Sequence, residues 1–173
     1  MYANSFNPAR STWMHIDLNS CFATIEQQAN PLLRGKPIAV AAYTTPHGCI
    51  LAPSVEAKRF GVKTGMRVMD GKKLCPNLLV LPSDPPKYRF INQKMERLFS
   101  QYTPFLSVRS IDEILLHFVN LPILTQKSLL EIGKEIKLGS ATFIINKVDK
   151  ERSIRNYVAS GLFYVITLTV SSD

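Results

Sequence analysis

Two acidic residues stand between two apolar runs in the segment "FLSVRSIDEILLHF". The runs "FLSVR" and "ILLHF" have the length and composition of strands, so residues 105–118 predict an antiparallel hairpin with Asp112 and Glu113 at its junction. Asp17 likewise closes the short apolar run "WMHID". Half-buried strands rarely hold carboxylates unless a cation meets them. These acids therefore constrain the fold more than any other feature of the chain.

The three carboxylates are candidate ligands of one cation. Strand ends that are far apart in sequence can meet at one edge of a sheet, and three carboxylates suit Mg²⁺ or Mn²⁺ far better than zinc. The residues alone leave two other interpretations open. An Asp before a helix is commonly a cap, and an Asp-Glu pair is commonly a solvated turn.

Hydrophobic spacing and turn residues predict the remaining elements. Their order is a strand at 13–17, a helix, a hairpin, two short helices, a strand, a helix over 84–102, the two strands of 105–118, and a helix over 125–137. Asn19 or Ser20 is the predicted cap of the first helix, and Ser54 caps the first short helix. In the first helix Phe22, Ile25 and Ala29 share one face. The pattern is α+β or α/β.

Composition narrows the class of protein. The chain has 173 residues, of which 46% are hydrophobic, so it can form a core. A net charge of +8 favours a polyanionic partner, and nucleic acid is the obvious one. Three widely spaced cysteines without a CxxC pair disfavour a zinc site and a disulfide framework. No secretory signal is visible, and the ten-residue apolar stretch "GLFYVITLTV" is too short to span a bilayer as a helix. We expect a soluble, cytoplasmic protein.

Five segments in a fixed order give the chain a specific resemblance: "HIDLNSCFATIEQ", "NPLLRGKPIAV", "PSVEAKRFGVKTGM", "CPNL" and "SIDE". Together they resemble the Y-family translesion DNA polymerases, the DNA polymerase IV-like group. The similarity runs from about Met14 to about Phe118, with a weaker echo up to Lys137. A DNA-directed DNA polymerase is the activity that this resemblance implies.

The resemblance also assigns roles by position. Asp17, Asp112 and Glu113 match the metal-binding carboxylates, and Leu18 matches the residue whose carbonyl joins the metal shell. Phe22 matches the aromatic steric gate that excludes a ribose 2′-hydroxyl, although core packing would equally explain a phenylalanine on a helix. The nucleotide-binding positions are Phe22, Ala52, Val55, Lys58 and Arg59. Without the resemblance, Lys58 and Arg59 would read as solvated helix charges.

Two of these positions depart from the family pattern. Ala52 and Val55 stand where the family often has threonine and tyrosine, so two hydrogen-bond donors to the triphosphate are either missing or supplied elsewhere. Small residues such as Ala42 and Ala52 are expected to leave room for damaged templates.

The implied reaction is nucleotidyl transfer with two Mg²⁺ ions, or Mn²⁺. The primer 3′-hydroxyl attacks the α-phosphate of a dNTP, and pyrophosphate leaves. Primer-template DNA and dNTP are the implied partners, together with a sliding clamp bound through the family's C-terminal region; no membrane partner is expected.

The implied fold is α+β: a polymerase palm, which is a ferredoxin-like antiparallel sheet with helices on one face, with a small inserted fingers subdomain. We expect a leader at 1–12, the palm at 13–137, a fingers insertion at about 31–81, and an atypical tail at 138–173. The tail departs from the family pattern, although it contains Asn146-Lys147, and "GLFYVITLTV" would expose apolar surface. A frameshift or premature stop from about Leu138 is favoured over a short protein with a novel cap.

The thumb and little finger of the family are absent from this sequence, so a weakly active or inactive fragment is expected. The alternative is a non-catalytic, polymerase-like DNA-binding remnant. A nucleotidyl cyclase-like enzyme is disfavoured, because "SIDE" takes the place of a cyclase-type glycine-rich turn.

Overall fold

The computed structural model describes residues 12–136 and the backbone of residues 166–171. The described chain divides into two compact units, the first formed by 12–19, 91–136 and 166–171 and the second by Ser20–Phe90. The predicted insertion, 31–81, lies inside the second unit. Most of the predicted leader and tail lie outside the described residues. No helix in the described ranges is long and apolar enough to cross a bilayer.

From residue 13 to residue 117 the strands and helices follow the order that the hydrophobic patterns predict. In chain order the elements are β1 (Trp13–Leu18), α1 (Cys21–Ala29), a 3-10 turn (Pro31–Leu33), β2 (Ile38–Ala41), β3 (Ile50–Pro53), α2 (Val55–Arg59), α3 (Val68–Leu74), β4 (Leu79–Pro82), α4 (Pro85–Phe99), β5 (Phe105–Val108), β6 (Glu113–His117), α5 (Ile123–Gln126) and β7 (Ile166–Ser171). A further helical stretch covers residues 129–136.

The first unit contains a four-stranded antiparallel sheet in the order β5-β6-β1-β7. Side chains alternate between buried and half-buried along β1 and β6, as expected for strands with one face on a core. The register sets Ile16 opposite Ile114 and Met14 opposite Leu116, and all four are buried. The half-buried face is therefore the one that carries Asp17 and Glu113.

The strand β7 extends the same sheet beyond β1. Ile166 lies opposite Leu18, and Ser171 lies opposite Trp13. This segment therefore has a pairing partner in the sheet, which the sequence analysis did not foresee. The rest of the predicted tail, 138–165 and 172–173, lies outside the described residues.

The second unit contains a small mixed sheet in the order β3-β2-β4, with β2 antiparallel to β3 and parallel to β4. The β2–β3 pair is the predicted hairpin. A core of small and medium side chains fills this unit: Ala39, Ala41, Ile50, Ala57, Val62, Val68, Cys75 and Leu78. At the hairpin tip, a Cβ on Gly48 would collide with the backbone carbonyl of Tyr43, so only glycine fits there.

Capping hydrogen bonds, or their absence, test the predicted starts of three helices. The side chain of Asp84 accepts a hydrogen bond from the Lys87 N–H (3.2 Å), so α4 starts as predicted. At α1, Ser20 has φ 55° and makes no capping hydrogen bond, so its predicted capping role is wrong. The single helix predicted over 125–137 is also wrong. It breaks at 127–128, because Ser128 and Glu131 form a capping box that starts a new helix.

Candidate functional site

Asp17 and Glu113 lie directly opposite each other at the ends of β1 and β6. The Leu18 N–H donates to the Asp112 carbonyl oxygen (3.0 Å), so the Asp17–Glu113 pair falls at a non-hydrogen-bonded position of the ladder. Side chains at such positions are the closest cross-strand neighbours in an antiparallel sheet. The two carboxylates, far apart in sequence, are thus brought together on the half-buried face.

The turn between β5 and β6 is held by a network centred on Ser110. The Glu113 carbonyl oxygen accepts from the N–H groups of Arg109 (2.9 Å) and Ser110 (3.2 Å). The Ser110 hydroxyl oxygen accepts from the N–H groups of Asp112 (3.3 Å) and Glu113 (3.0 Å), and the hydroxyl donates to Asp112 Oδ1 (2.5 Å). The backbone positions of both acids are therefore fixed by the turn.

Asn92 on α4 supports the same turn from outside. Its side-chain N–H group donates to the carbonyl oxygens of Ile111 (2.9 Å) and Ser110 (3.4 Å). No pattern in the sequence indicates this role, because Asn92 looks like an ordinary polar position on an amphipathic helix. Turn and helix are thereby tied together inside the first unit.

The ligand atoms near Asp17 are oxygens, the type that a hard divalent cation binds. Asp17 and Glu113 offer carboxylate oxygens, which Mg²⁺ and Mn²⁺ prefer. None of the ion pairs formed between residues 12 and 136 involves these acids or Asp112. Two neighbouring carboxylates without a cation repel each other, which favours a metal between them.

The third predicted ligand, Asp112, belongs to the turn directly before β6. Within the described ranges, no group of three or more His, Cys, Asp or Glu side chains is arranged to hold a metal ion. Asp112 Oδ1 accepts from the Ser110 hydroxyl of its own turn. A carboxylate has two oxygens with several acceptor positions, so Asp112 can keep this hydrogen bond and bind a metal at the same time.

The predicted nucleotide-binding residues all lie in the second unit. Ala52 is buried in β3, whereas Ala42 is exposed just beyond β2. Val55 begins α2, and Lys58 and Arg59 are exposed in its last turn. Neither Ala52 nor Val55 has a side-chain hydrogen-bond donor. These two residues therefore cannot make the hydrogen bonds that threonine and tyrosine make in the family.

Phe22 lies on α1, half-buried, and its ring stacks on the ring of Tyr88 with centroids 4.4 Å apart and planes 7° apart. The Tyr88 hydroxyl donates to Glu26 Oε1 (2.9 Å), and Lys87 Nζ donates to both Glu26 oxygens at 2.9 Å. Burial, followed by the hydrogen bond to Glu26, raises the pKa of Tyr88. The sequence analysis did not single out Glu26, Lys87 or Tyr88 as functional residues.

The buried face of α1 also differs from the prediction. Ile25 is buried, but Ala29 is exposed, and the polar residues Glu26, Gln27 and Gln28 are buried instead. Gln27 is satisfied, since its amide donates to the carbonyl oxygens of Leu33 and Lys36 and to the Glu56 carboxylate. Burial of polar side chains on a helix cannot be inferred from apolar periodicity, because the partners come from other parts of the chain.

Solved polymerase structures share this fold. The chain superposes on a ternary complex of Dbh with a TM-score of 0.69 and 24% identity, over 93% of this chain and 41% of that chain. It superposes on DinB from Sulfolobus solfataricus with a TM-score of 0.64 and 22% identity, over 92% of this chain and 41% of that one. The predicted α+β fold class is thereby confirmed, and it is the fold of a solved Dbh DNA polymerase.

The family follows from the sequence. Residues 16–159 match the family model described as the impB/mucB/samB family, and the chain belongs to this family. The match reaches past residue 137, where the resemblance had been expected to stop. The predicted likeness to Y-family polymerases is confirmed.

Curated relatives carry the name DNA polymerase IV. The Gluconobacter oxydans protein is 39% identical over 100 residues, which are 58% of this chain and 28% of that protein. DNA polymerase IV 1 of Bacillus subtilis is 39% identical over 124 residues, 71% of this chain and 30% of that protein. The chain thus spans less than a third of the length of these relatives.

Proposed function

We propose that this chain is the palm and fingers part of a DNA-templated DNA polymerase that uses divalent metal ions. The observation that carries the proposal is the pairing of Asp17 with Glu113, next to Asp112, at one end of an antiparallel sheet. Membership of a family whose curated relatives are named DNA polymerase IV supports it. The net charge of +8 is consistent with a nucleic acid partner.

In this proposal the carboxylates of Asp17, Asp112 and Glu113 and the carbonyl of Leu18 hold Mg²⁺, with Mn²⁺ as a substitute. When bound, two such ions supply positive charge to the primer 3′-hydroxyl and to the triphosphate. The protein's own part is to fix these oxygens in place, which the Ser110 turn and its Asn92 support accomplish through the backbone.

The second unit would bind the incoming dNTP. Phe22 would lie under the sugar and exclude a 2′-hydroxyl, and Lys58 and Arg59 would neutralise the triphosphate. Ala52 and Val55 add no hydrogen-bond donors, so we expect weak nucleotide affinity. Small side chains at Ala42 and Ala52 would leave room for a damaged template base. Translesion synthesis, recruitment by a sliding clamp and a cytoplasmic location remain predictions of this proposal.

The experiment is primer extension by the 173-residue chain with dNTP and Mg²⁺, with primer-template binding measured in parallel by fluorescence anisotropy. We expect slow extension by the wild type and a loss of about 10²-fold or more in Asp112→Ala, because a metal ligand is removed. Binding to DNA should change little. Asp70→Ala, which removes a half-buried acid on α3 that pairs with Arg67 and Lys73, is the control and should extend normally.

The other outcomes separate the alternatives. A wild type that binds primer-template in a salt-dependent way but extends nothing would favour the non-catalytic DNA-binding remnant. Extension that survives Asp112→Ala would contradict the proposed metal site. Product formed from dNTP without template would point to the cyclase-like reaction.

A further inference from the structure

A cluster of four side chains joins α1 to the first turn of α4 within the second unit. We call Phe22, Glu26, Lys87 and Tyr88 the gate-support cluster. Phe22 and Glu26 lie one helical turn apart on α1, and Lys87 and Tyr88 are neighbours on α4. Tyr88 therefore contacts both residues of α1, Phe22 with its ring and Glu26 with its hydroxyl.

Glu26 is an unusual residue to bury. It is 8% exposed, and a carboxylate at that depth costs free energy unless hydrogen bonds and a cation compensate it. The cluster supplies both, because Lys87 Nζ reaches both carboxylate oxygens and the Tyr88 hydroxyl reaches one of them. Lys87 is held in turn by Asp84 Oδ2 at 3.2 Å. The carboxylate is thus fixed in one position.

That fixed carboxylate determines where Tyr88 lies. Tyr88 is 1% exposed, so its hydroxyl has lost water as a partner and depends on Glu26. Because the phenol oxygen lies on the axis about which the ring turns, this hydrogen bond fixes the position of the ring, and the packing around the buried ring holds its plane. Phe22 stacks almost parallel on that plane and is itself only half-buried. The stacking contact with Tyr88 therefore sets the orientation of the Phe22 ring.

We propose that Glu26 is a positioning residue for sugar selectivity: acting through Tyr88, it holds the Phe22 ring in the orientation that excludes a ribose 2′-hydroxyl. This inference rests on the proposed function, because Phe22 is a gate only if the chain incorporates nucleotides. Glu26 does not touch the nucleotide in this scheme. Its removal would let the Tyr88 ring move out of its stacked position, and the Phe22 ring would then turn, which widens the space at the sugar.

The test compares single-nucleotide incorporation of a dNTP and of the matching rNTP. In Glu26→Ala we expect the ratio of kcat/KM for rNTP to that for dNTP to rise about tenfold, the effect of losing one anchored hydrogen bond. Glu26→Gln keeps an oxygen that accepts from Tyr88 and should stay within about twofold of wild type. Tyr88→Phe, which removes only the hydroxyl, should raise the ratio as Glu26→Ala does.

Two controls separate positioning from simple destabilisation. Glu56→Ala removes a different, half-buried partner of α1, the one bonded to Gln27, and should leave the ratio unchanged. In a Phe22→Ala background the gate is gone, so Glu26→Ala should have no further effect on the ratio. Equal losses for both nucleotides in Glu26→Ala, or a further rise in the Phe22→Ala background, would overturn the inference.

A second readout does not depend on activity. With Phe22 carrying ¹³C in its ring, the ring signals of wild type should show the ring-current shift of a stacked neighbour, and Glu26→Ala should lose that shift. Unchanged Phe22 signals would overturn the positioning role even if selectivity changed. A wild type that incorporates neither nucleotide would overturn the proposed function and with it the selectivity role. The Phe22 signals would then still show whether Glu26 orients the ring.

Discussion

The pair Asp17 and Glu113 destabilises the fold and at the same time forms part of the candidate metal site. Two like charges at a non-hydrogen-bonded cross-strand position repel each other, and no ion pair between residues 12 and 136 offsets that repulsion. A divalent cation would turn the repulsion into attraction. Residues kept against the stability of the fold are characteristic of functional sites.

We predict that Glu113→Gln stabilises the protein without divalent metal by about 0.5 kcal/mol, because one of the two repelling charges is removed. Mg²⁺ should raise the melting temperature of the wild type. It should raise the melting temperature of the variant much less, because the variant has lost a metal ligand. Thermal unfolding with and without Mg²⁺ measures both effects. Glu96→Gln, which changes an acid on α4 that is not among the proposed ligands, is the control and should respond to Mg²⁺ like wild type. A Glu113→Gln protein that melts lower than wild type without metal would contradict the prediction.

Tyr88 gives a prediction for pH. Because burial raises its pKa above the ordinary value of 10.0, the folded protein keeps the phenol neutral where the unfolded chain ionises it. The contribution of Tyr88 is thus fully present below pH 10.0 and is lost as the pH rises further. Urea unfolding from pH 8 to pH 11 should show a fall in stability that is smaller in Tyr88→Phe. Tyr43→Phe, at a tyrosine that is 72% exposed, should follow wild type.

At the level of helices and strands, α2 depends on one side chain. The Ser54 hydroxyl oxygen accepts from the N–H groups of Ala57 (3.2 Å) and Ile38 (3.2 Å), and the hydroxyl lies 3.4 Å from the Lys36 carbonyl oxygen. It therefore caps α2 and at the same time ties the helix to the start of β2. The helix that presents Lys58 and Arg59 is anchored by a residue that is 1% exposed.

We predict that Ser54→Ala destabilises the protein by about 1–2 kcal/mol, because two buried N–H groups lose their acceptor. Ser128→Ala removes the cap of the helical stretch 129–136, but Ser128 is exposed and water can replace it. That variant should therefore cost only about 0.5–1 kcal/mol. Chemical denaturation of both variants measures the difference. Equal costs would mean that burial of Ser54 adds nothing to its capping role.

For the molecule as a whole, the four-stranded sheet joins parts of the chain that are distant in sequence. The central strands are β1 and β6, and β7 closes the side of β1. Without β7, β1 would be an edge strand with unpaired backbone groups. The sheet that holds Asp17 therefore depends on a segment near residue 170.

We predict that proline substitutions along β7 alternate in effect. In an edge strand, the N–H groups of alternate residues point toward the neighbouring strand. Leu168 and Thr169 are adjacent, so one of the two substitutions Leu168→Pro and Thr169→Pro removes a hydrogen bond to β1, and the other removes none. The damaging substitution should cost about 1–3 kcal/mol, and the other much less. Thermal unfolding of both variants, with Thr169→Val as the control that keeps its N–H, checks this. Two harmless prolines would show that β7 does not stabilise the sheet.

The sequence alone predicted the elements of this protein and its candidate acids. Short apolar runs identified β1 and β6, and Asp84 and Ser54 marked helix starts, because these signals act over a few residues. Ordered motifs also identified the family. The sequence did not identify the break at 127–128, because the spacing of Leu129, Ile132 and Ile136 is that of a helix, whether or not the helix starts at Ser128.

Only the tertiary structure decided which residues meet. It placed Asp17 opposite Glu113, gave β1 a second partner in β7, and tied Asp112 to Ser110. It also joined Glu26 to Lys87 and Tyr88, which lie 61 and 62 residues further along the chain. The physical reason is that propensity and periodicity are local, whereas pairing of buried polar groups depends on the register and packing of the folded chain.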